Sequence, residues 1–498
     1  MITKTLKVML WNREVGRLSW DIRRGIASFE YNSHWLEGAI DAFPLVAPIQ
    51  SPASRRPISG NKEISIYRKL PPFLADSLPD TWGNRVFEYW KIEHGIRNQE
   101  ITPLDILSFI GRHGMGALEF EPECSGLRKD EQLNLEALTS LADRILHERE
   151  QVTITPEESL TMQALITVGT SAGGRRPKAI IAMNPDTGEI RSGQIAGQKG
   201  FEYCILKFGN SERSSAELEM AYYEMAKTAG IEMMPCRLLQ VEGCNHFITR
   251  RFDRDGERKL HVQTLAALSP DADSYERLLA VCRKMRLPET TSEEIFRRMV
   301  FNILANNTDD HNKNFSFLMD ERGHWRLSPA YDMTYIFNTG GFLPESMHCL
   351  MLRGKLSEHT RDDVLALARE NGIRRAETIL KEVAEGIQGF RGFAIKNGVQ
   401  ERWIATVETT LTKHLNDWGY GQRPTKRHTF RFGETLVEDV RIEQTYKGNY
   451  HLYATMKGKE CKFVIGKNKP EYAIIASAGS NGLTEQQLLE MLRKYVVK

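Results

Sequence analysis

One stretch, residues 305–332, reads ANNTDDHNKNFSFLMDERGHWRLSPAYD and limits what the chain can fold into more than any other. The segment before it, FRRMVFNILANN, sets Met299, Ile303 and Leu304 at helical spacing, so a helix is predicted to deliver a polar loop. Beyond the loop, FSFLM and HWRLSPAYDM read as short strands joined by a turn at DERG. The second of them carries Asp332 back towards the loop that holds Asp309 and Asn314.

Asp309 and Asn314 have the separation of the catalytic Asp and the metal-binding Asn in the protein-kinase loop H-R-D-x-x-x-x-N, and Asp332 falls where a kinase has its second metal-binding Asp. A hydroxyl oriented by Asp309, with metal held by Asn314 and Asp332, makes a phosphoryl-transfer site. Taken alone, N-N-T-D-D-H-N-K-N also fits a plain polar turn, because Asn and Asp are favoured in turns.

Upstream parts bear on that choice. LITVGTSAGGRRPKAIIAM, 165–183, places Gly169, Gly173 and Gly174 with basic side chains between apolar runs. Such a loop can cradle an anion with backbone N–H groups, although it also fits a flexible hairpin tip. It is neither a P-loop nor G-x-G-x-x-G. FEYCILKFG then reads as a buried strand ending near Lys207, followed by a helix over SSAELEMAYYEMAKTAG with Ser214 or Ser215 as N-cap and Gly230 as its close. A strand lysine paired with a glutamate on the next helix is how kinases hold the α- and β-phosphates. Glu219 is the chosen partner, with Glu217 and Glu224 as competitors. CRLLQVEGCNHFITRRFDR, 236–254, reads as a hairpin turning at Glu242 and Gly243 and leaving as a hinge, after which helices dominate.

With 498 residues, 27% charged and 41% hydrophobic, the chain has the make-up of a globular protein of two to four domains. A net charge of +2 argues against a surface that binds nucleic acid throughout. Seven cysteines, none in C-x-x-C spacing, give neither a disulfide framework nor a zinc site, so a reducing, cytoplasmic location is expected. There is no run of 18 apolar residues, and MITKTLKVMLWNREVG has charges inside any would-be signal core; neither a membrane span nor a secretion signal is expected.

Residues 1–122 open with KVMLWNREVGRL and IASFEYN, strand-like segments turning at Asn12, and continue as helices, a small α+β module without a catalytic constellation. Trp82 and Trp90 are read as core. The polar run 123–134 is a candidate linker. The end of the chain, from about 426, reads as strands HTFRFG, VEDVRIEQTY, NYHLYATM, KFVIG and EYAIIA, then a helix from Leu483. Its basic balance, with Phe430, Phe432, Tyr446, Tyr450 and Tyr453 interleaved, suits a solvated basic face first and an acidic or nucleic-acid partner second. An antitoxin-like or dimerising module is a further reading of it.

From about residue 5 to 420 the chain resembles the HipA-like serine/threonine kinase toxins of bacterial type II toxin–antitoxin systems. The resemblance rests on W-N-x-x-x-V-G-x-L near the N-terminus, SFIGRHGMGALEF, the Gly-rich loop through PKA, the I-L-K strand, R-F-D-R and H-V-Q-T-L-A-A-L. Above all it rests on T-D-D-H-N-K-N-F-S followed by S-P-A-Y-D. It implies an α+β, bilobal protein-kinase-like fold: an N-terminal subdomain over 1–125, an N-lobe with Gly-rich loop and hinge over 126–253, and a helical C-lobe over 254–425. Residues 426–498 would be a basic α+β extension outside the family body. Asp309 matches the catalytic Asp, and Asn314 and Asp332 match the metal ligands for Mg2+. The ATP-binding positions implied are Ala172, Gly173, Gly174, Arg175, Arg176 and Lys178 in the loop, Lys207 with Glu219, Arg250, Arg251 and Phe252 at the hinge, and His311, Lys313 and Tyr331. Family members silence themselves by phosphorylating a serine in the Gly-rich loop; Thr170 and Ser171 are the nearest matches, and GTSAGGRRPK leaves open which is used. Asp310 stands where glycine is common, so an extra carboxylate is expected beside the metals.

The likeness further implies a protein substrate in translation, notably an aminoacyl-tRNA synthetase. It implies a helix-turn-helix antitoxin as partner, operator DNA reached only through that antitoxin, and no membrane. A catalytically idle scaffold or co-repressor is the alternative, against which Lys207, Asp309, Asn314 and Asp332 together weigh. A small-molecule or lipid kinase is a third reading, unsupported by any interfacial helix or dense polybasic run.

Overall fold

Alternation in TLKVML turns Leu6, Val8 and Leu10 inward with no exposed surface, while Thr5 and Lys7 face out. This is strand β1 (Thr5–Leu10) of a computed structural model that describes residues 3–93, 101–123, 133–147, 165, 176–193, 199–256, 258–337, 347–421, 428–432, 435–444, 450–456, 459–467 and 472–478. β1 turns through Trp11 and Asn12, both at positive φ, into β2 (Arg13–Asp21). With β3 (Ile26–Tyr31), β4 (Ile58–Ser59) and β5 (Leu118–Glu121) they make a sheet in the order β4-β3-β2-β1-β5. Gly16 of the V-G pair is needed for contact, since a Cβ there would lie 2.3 Å from Glu30 O and 2.6 Å from the Phe29 ring. Phe29, Phe43 and Phe73 fill the space behind the sheet, the last two stacked at 4.2 Å. Helices α1 (Thr81–Glu93), α2 (Pro103–Ile110) and α3 (Leu135–His147) accompany it. Trp82 is fully buried, as read from the sequence, whereas the side chain of Trp90 lies outside the described residues.

A second sheet, order β7-β6-β8-β10-β9, is formed by β6 (Lys178–Met183), β7 (Ile190–Ser192), β8 (Glu202–Lys207), β9 (Cys236–Val241) and β10 (Cys244–Arg250). The β9–β10 hairpin turns at Glu242 and Gly243, as expected. β6 is buried over nearly its whole length because α4 (Ser215–Thr228) and the N-terminal subdomain cover the sheet. One apolar cluster runs from Leu6, Phe29 and Phe73 through Ala179 and Ile181 to Leu206 and Ile248. The chain then crosses the short ladder of β11 (Arg254–Asp255) and β12 (Arg258–Lys259) to β13 (His261–Thr264). The lobe beyond holds α5 (Tyr275–Lys284), α6 (Glu289–Leu304), α7 (Arg361–Glu370), α8 (Ala376–Gln388) and α9 (Glu401–Asp417). α8 approaches the end of α4 so closely that a Cβ on Gly386 would sit 2.8 Å from Ala229 N. β13 pairs with β14 (Ser316–Met319), which pairs with β15 (Trp325–Leu327), and this small sheet carries the polar loop of residues 305–315 at its edge. The architecture is the expected α+β, bilobal kinase-like one.

R-F-D-R fastens the lobes to the N-terminal subdomain. Asp253, fully buried, accepts from Arg251 Nε at 2.8 Å and Nη2 at 2.7 Å, from Arg254 Nη1 at 2.8 Å and from Gly116 N at 2.7 Å. Burial alone would raise its pKa, but the two guanidinium groups overrule it and hold the carboxyl well below its usual range.

Met1–Trp418 and Gly419–Lys498 are separate compact units. In the second, β16 (His428–Phe432), β17 (Thr435–Gln444), β18 (Tyr450–Met456), β19 (Lys459–Lys467) and β20 (Tyr472–Ala478) form an antiparallel meander in sequence order. These are the five strands read from the sequence; the helix expected from Leu483 and the linker residues 124–132 lie outside the described residues. Among the described residues no helix is long and apolar enough to cross a membrane.

Removing the hub's negative charge leaves two buried cations unbalanced. Asp253→Asn is therefore expected to cost about 3–5 kcal/mol of unfolding free energy in urea titration; a loss under about 1 kcal/mol would show that the hub is dispensable. A second expectation concerns His261, buried in β13 with Nε2 3.0 Å from Ala42 O and its pKa lowered by burial to about 4. A folded value below the unfolded one means stability complete above about pH 6.5 and lost as pH falls towards 4. His261→Gln, which does not titrate, should flatten part of that decline in a pH series of unfolding midpoints.

Candidate active site

β8 ends on Lys207, and its ammonium bonds both Glu219 of α4 and Asp332. Glu219 lies on the buried face of α4, 3% exposed, with its second oxygen 3.5 Å from Arg176 Nη1. Its competitors are engaged elsewhere: Glu217 accepts from Asn245 Nδ2 at 2.8 Å and Glu224 from Lys396 Nζ at 2.9 Å. Ser214 is the N-cap residue, in the left-handed region at φ 47°, but it makes no side-chain capping bond and instead accepts from Gln400 N. Burial alone would lower the pKa of Lys207, yet Asp332 and Glu219 outweigh it and raise it, favouring the charged ammonium. For Asp332 burial acts upwards, and Lys207 followed by Lys178 brings the carboxyl well below the usual range. Lys178, buried at the start of β6, is lowered by burial, which the pull of Asp332 only partly offsets. Asp332 itself has φ 54°, a left-handed conformation that Asp tolerates better than most residues.

The loop opens where α6 stops at Leu304, and Asn306 takes φ 54°. Asn314 Nδ2 donates to Asp309 O at 2.7 Å, closing the D-x-x-x-x-N segment on itself. His311 Nδ1 accepts from Lys313 N and caps the turn Asn312–Asn314. Asp309 projects outwards, its side chain 56% exposed, with His311 Nε2 at 3.9 Å and Cys349 Sγ at 4.0 Å from Oδ1. A cavity of about 480 Å³ adjoins it, lined in part by His311, Asn312 and Cys349. Tyr331 hydroxyl donates to Lys313 O at 2.6 Å and meets Ser316 Oγ at 2.6 Å, so it holds the loop in place; its ring lies 5.3 Å from Phe252.

Two expectations are corrected. Asp310 does not add a carboxylate on the metal side. It is 1% exposed and faces inwards, accepting from Tyr275 hydroxyl at 2.5 Å and Cys349 N at 2.7 Å and meeting His348 Nδ1 at 2.9 Å. Arg251 is not available to a nucleotide through its side chain: that group has no exposed surface and is committed to Asp253 and Gly193 O. Arg250 is exposed at the end of β10, and Phe252 is half-buried. Thr170, Ser171, Ala172, Gly173, Gly174 and Arg175 lie outside the described residues.

Sequence reasoning missed the N-terminal contribution. Asp80 Oδ1 pairs with Lys313 Nζ at 2.7 Å inside the loop, and Trp82 Nε1 donates to Lys178 O at 2.9 Å. A carboxylate and a tryptophan in L-P-D-T-W carry no spacing signal, since their partners lie far along the chain.

Residues 170–389 match the model of the HipA-like C-terminal domain and residues 6–121 that of the HipA N-terminal domain, together about two thirds of the chain. The chain belongs to the HipA-like family. Its site residues from Arg176 to Asp332 all fall within the HipA-like C-terminal match. The serine/threonine-protein kinase toxin HipA of Shewanella oneidensis is 23% identical over 361 residues, 67% of this chain and 76% of that one. A Haemophilus influenzae protein provisionally named a kinase is 26% identical over 302 residues, 53% of this chain and 85% of its own length. The solved S. oneidensis HipA, in complex with HipB and operator DNA, aligns at a TM-score of 0.58 and 17% identity over 83% of this chain and 96% of that one, a likeness of fold.

The opposite orientations of the two neighbouring aspartates predict opposite sensitivities in this HipA-like chain. Asp310→Ala strips acceptors from buried donors and should cost about 3 kcal/mol or more, while Asp309→Ala should stay within about 0.5 kcal/mol of wild type. Urea unfolding of both variants checks this, and a stable Asp310→Ala would contradict the inward orientation.

Proposed function

We propose that the chain is an ATP- and Mg2+-dependent serine/threonine protein kinase, acting as the toxin of a toxin–antitoxin system. The observation that carries this reading is the meeting of Lys207 with Glu219 and Asp332, together with an exposed Asp309 in a loop closed by Asn314. The named relatives, a kinase toxin among them, support the same class.

The donor set suits the cofactor. Among the described residues no three His, Cys, Asp or Glu side chains gather to hold an ion by themselves. Mg2+ asks for less, one or two protein oxygens with the remainder from water and phosphate. Asp332 and Asn314 would supply those oxygens. Bound ATP and Mg2+ supply the transferable phosphoryl group and neutralise its charge. Lys207, kept charged by its two carboxylates, would bind phosphate oxygens, and Glu219 holds the lysine in that orientation. Asp309 would accept a hydrogen bond from the acceptor hydroxyl and aim it. Catalysis by such a site is positioning and charge stabilisation.

The acceptor is proposed to be a serine or threonine of a translation component such as an aminoacyl-tRNA synthetase, in the cytoplasm. Self-inhibition through Thr170 or Ser171 belongs to the same reading. A helix-turn-helix antitoxin is the proposed partner, with operator DNA reached through it; the S. oneidensis complex with HipB and operator DNA supports this. An idle scaffold would leave the buried Lys207–Glu219 pair and the exposed Asp309 without a use.

Incubation of wild type and Asp309→Asn with labelled ATP and magnesium, followed by phosphosite mapping, tests the reading. Wild type should carry phosphate on Thr170 or Ser171, and Asp309→Asn should bind ATP yet transfer at least about 100-fold more slowly. Equal transfer by the variant would remove Asp309 from the mechanism, and no transfer by wild type would favour the scaffold.

A further inference from the structure

The segment from Asp76 to Trp82, in the N-terminal subdomain, bonds to both lobes. Asp76 accepts from Thr264 N and from Thr264 Oγ1, each at 2.7 Å, where β13 hands over to the helical lobe. Asp80 holds Lys313 Nζ at 2.7 Å, one residue before Asn314. Trp82, fully buried, bonds the Lys178 carbonyl on β6 of the other lobe at 2.9 Å. Lys178 in turn stands in the field of Asp332 and Glu219.

The segment is built to keep its shape. Residues Pro72, Phe73, Leu74 and Ala75 ahead of it are buried. Pro79 fixes its own φ, and its carbonyl accepts from Asn84 Nδ2 at 3.0 Å. A lysine carries large rotamer freedom, so a fixed carboxylate that engages its ammonium removes much of that freedom from the loop.

We infer that Asp80 is a positioning residue of the phosphoryl-transfer site, acting through Lys313, and that the Asp76–Trp82 segment sets the spacing of the two lobes. The N-terminal subdomain is then a working part of the active site. The inference rests on the kinase reading above.

A double-mutant cycle on the full chain tests it, with kcat/KM for labelled phosphate transfer and the thermal midpoint measured for each protein. Asp80→Asn and Lys313→Met should each lower kcat/KM about 10- to 100-fold. The double variant should be no slower than the slower single one, because the two residues act as one unit. Asp80→Glu should recover most of the rate, and the Asp80→Asn midpoint should stay near that of wild type. If Asp80→Asn does not fold, Trp82→Phe reads the same brace by deleting one indole N–H, and it too should lower kcat. An active wild type with an indifferent Asp80→Asn, or with losses that multiply in the double variant, overturns this inference alone. A wild type that transfers nothing overturns the kinase reading and this inference with it.

Discussion

A buried carboxylate facing two guanidinium groups ties the larger unit together. Asp253 sits where the chain leaves the N-lobe sheet, and its four hydrogen bonds come from Arg251, Arg254 and Gly116. Isolated, any of these charges would be costly to bury, and the three are tolerable only as a set. The requirement fixes the hinge against the N-terminal sheet, and Arg251 extends it to Gly193 O beside β7. The path from β10 to β13 is thereby set, and β13 aligns β14 and the loop that precedes it.

The same principle operates at the cleft on a smaller scale. Lys207 is bonded to two carboxylates, Glu219 and Asp332, which favour its charged form despite burial. Asp332 is kept ionised in turn by Lys207 and Lys178. Lys207 and Asp332 thus support each other's charge state. On the kinase reading proposed above, that is the preorganisation phosphoryl transfer requires of a protein.

Much of this was legible in the sequence because it is local. Spacing placed Asp309, Asn314 and Asp332 on one loop and hairpin, and the strand-then-helix pattern selected Lys207 and Glu219. Period-two runs marked all five strands of the second unit. What stayed hidden was the direction of side chains that tertiary packing decides. The family resemblance put Arg251 among the nucleotide contacts, yet pairing with Asp253 turns its side chain inwards. Asp80 drew no notice in the sequence, and its partner Lys313 lies 233 residues further along the chain. The Arg251–Asp253 pair is local, but its inward turn depends on Gly116 and Gly193 far along the chain, and the Asp80–Lys313 bridge crosses the fold, so no window of residues contains either outcome.

Asp309 and Asp310 show how finely that packing decides chemistry. They are adjacent and identical in kind, and residue type alone gives them the same prospects. Tyr275 from α5, His348 and the N–H of Cys349 converge on Asp310, so its carboxylate becomes the peg that fixes the loop to the helical lobe. With one neighbour pegged, backbone geometry turns the other outwards, where Asp309 stands beside a cavity large enough for a substrate side chain. On that account Asp310 supports the loop through structure instead of adding an exposed charge to it.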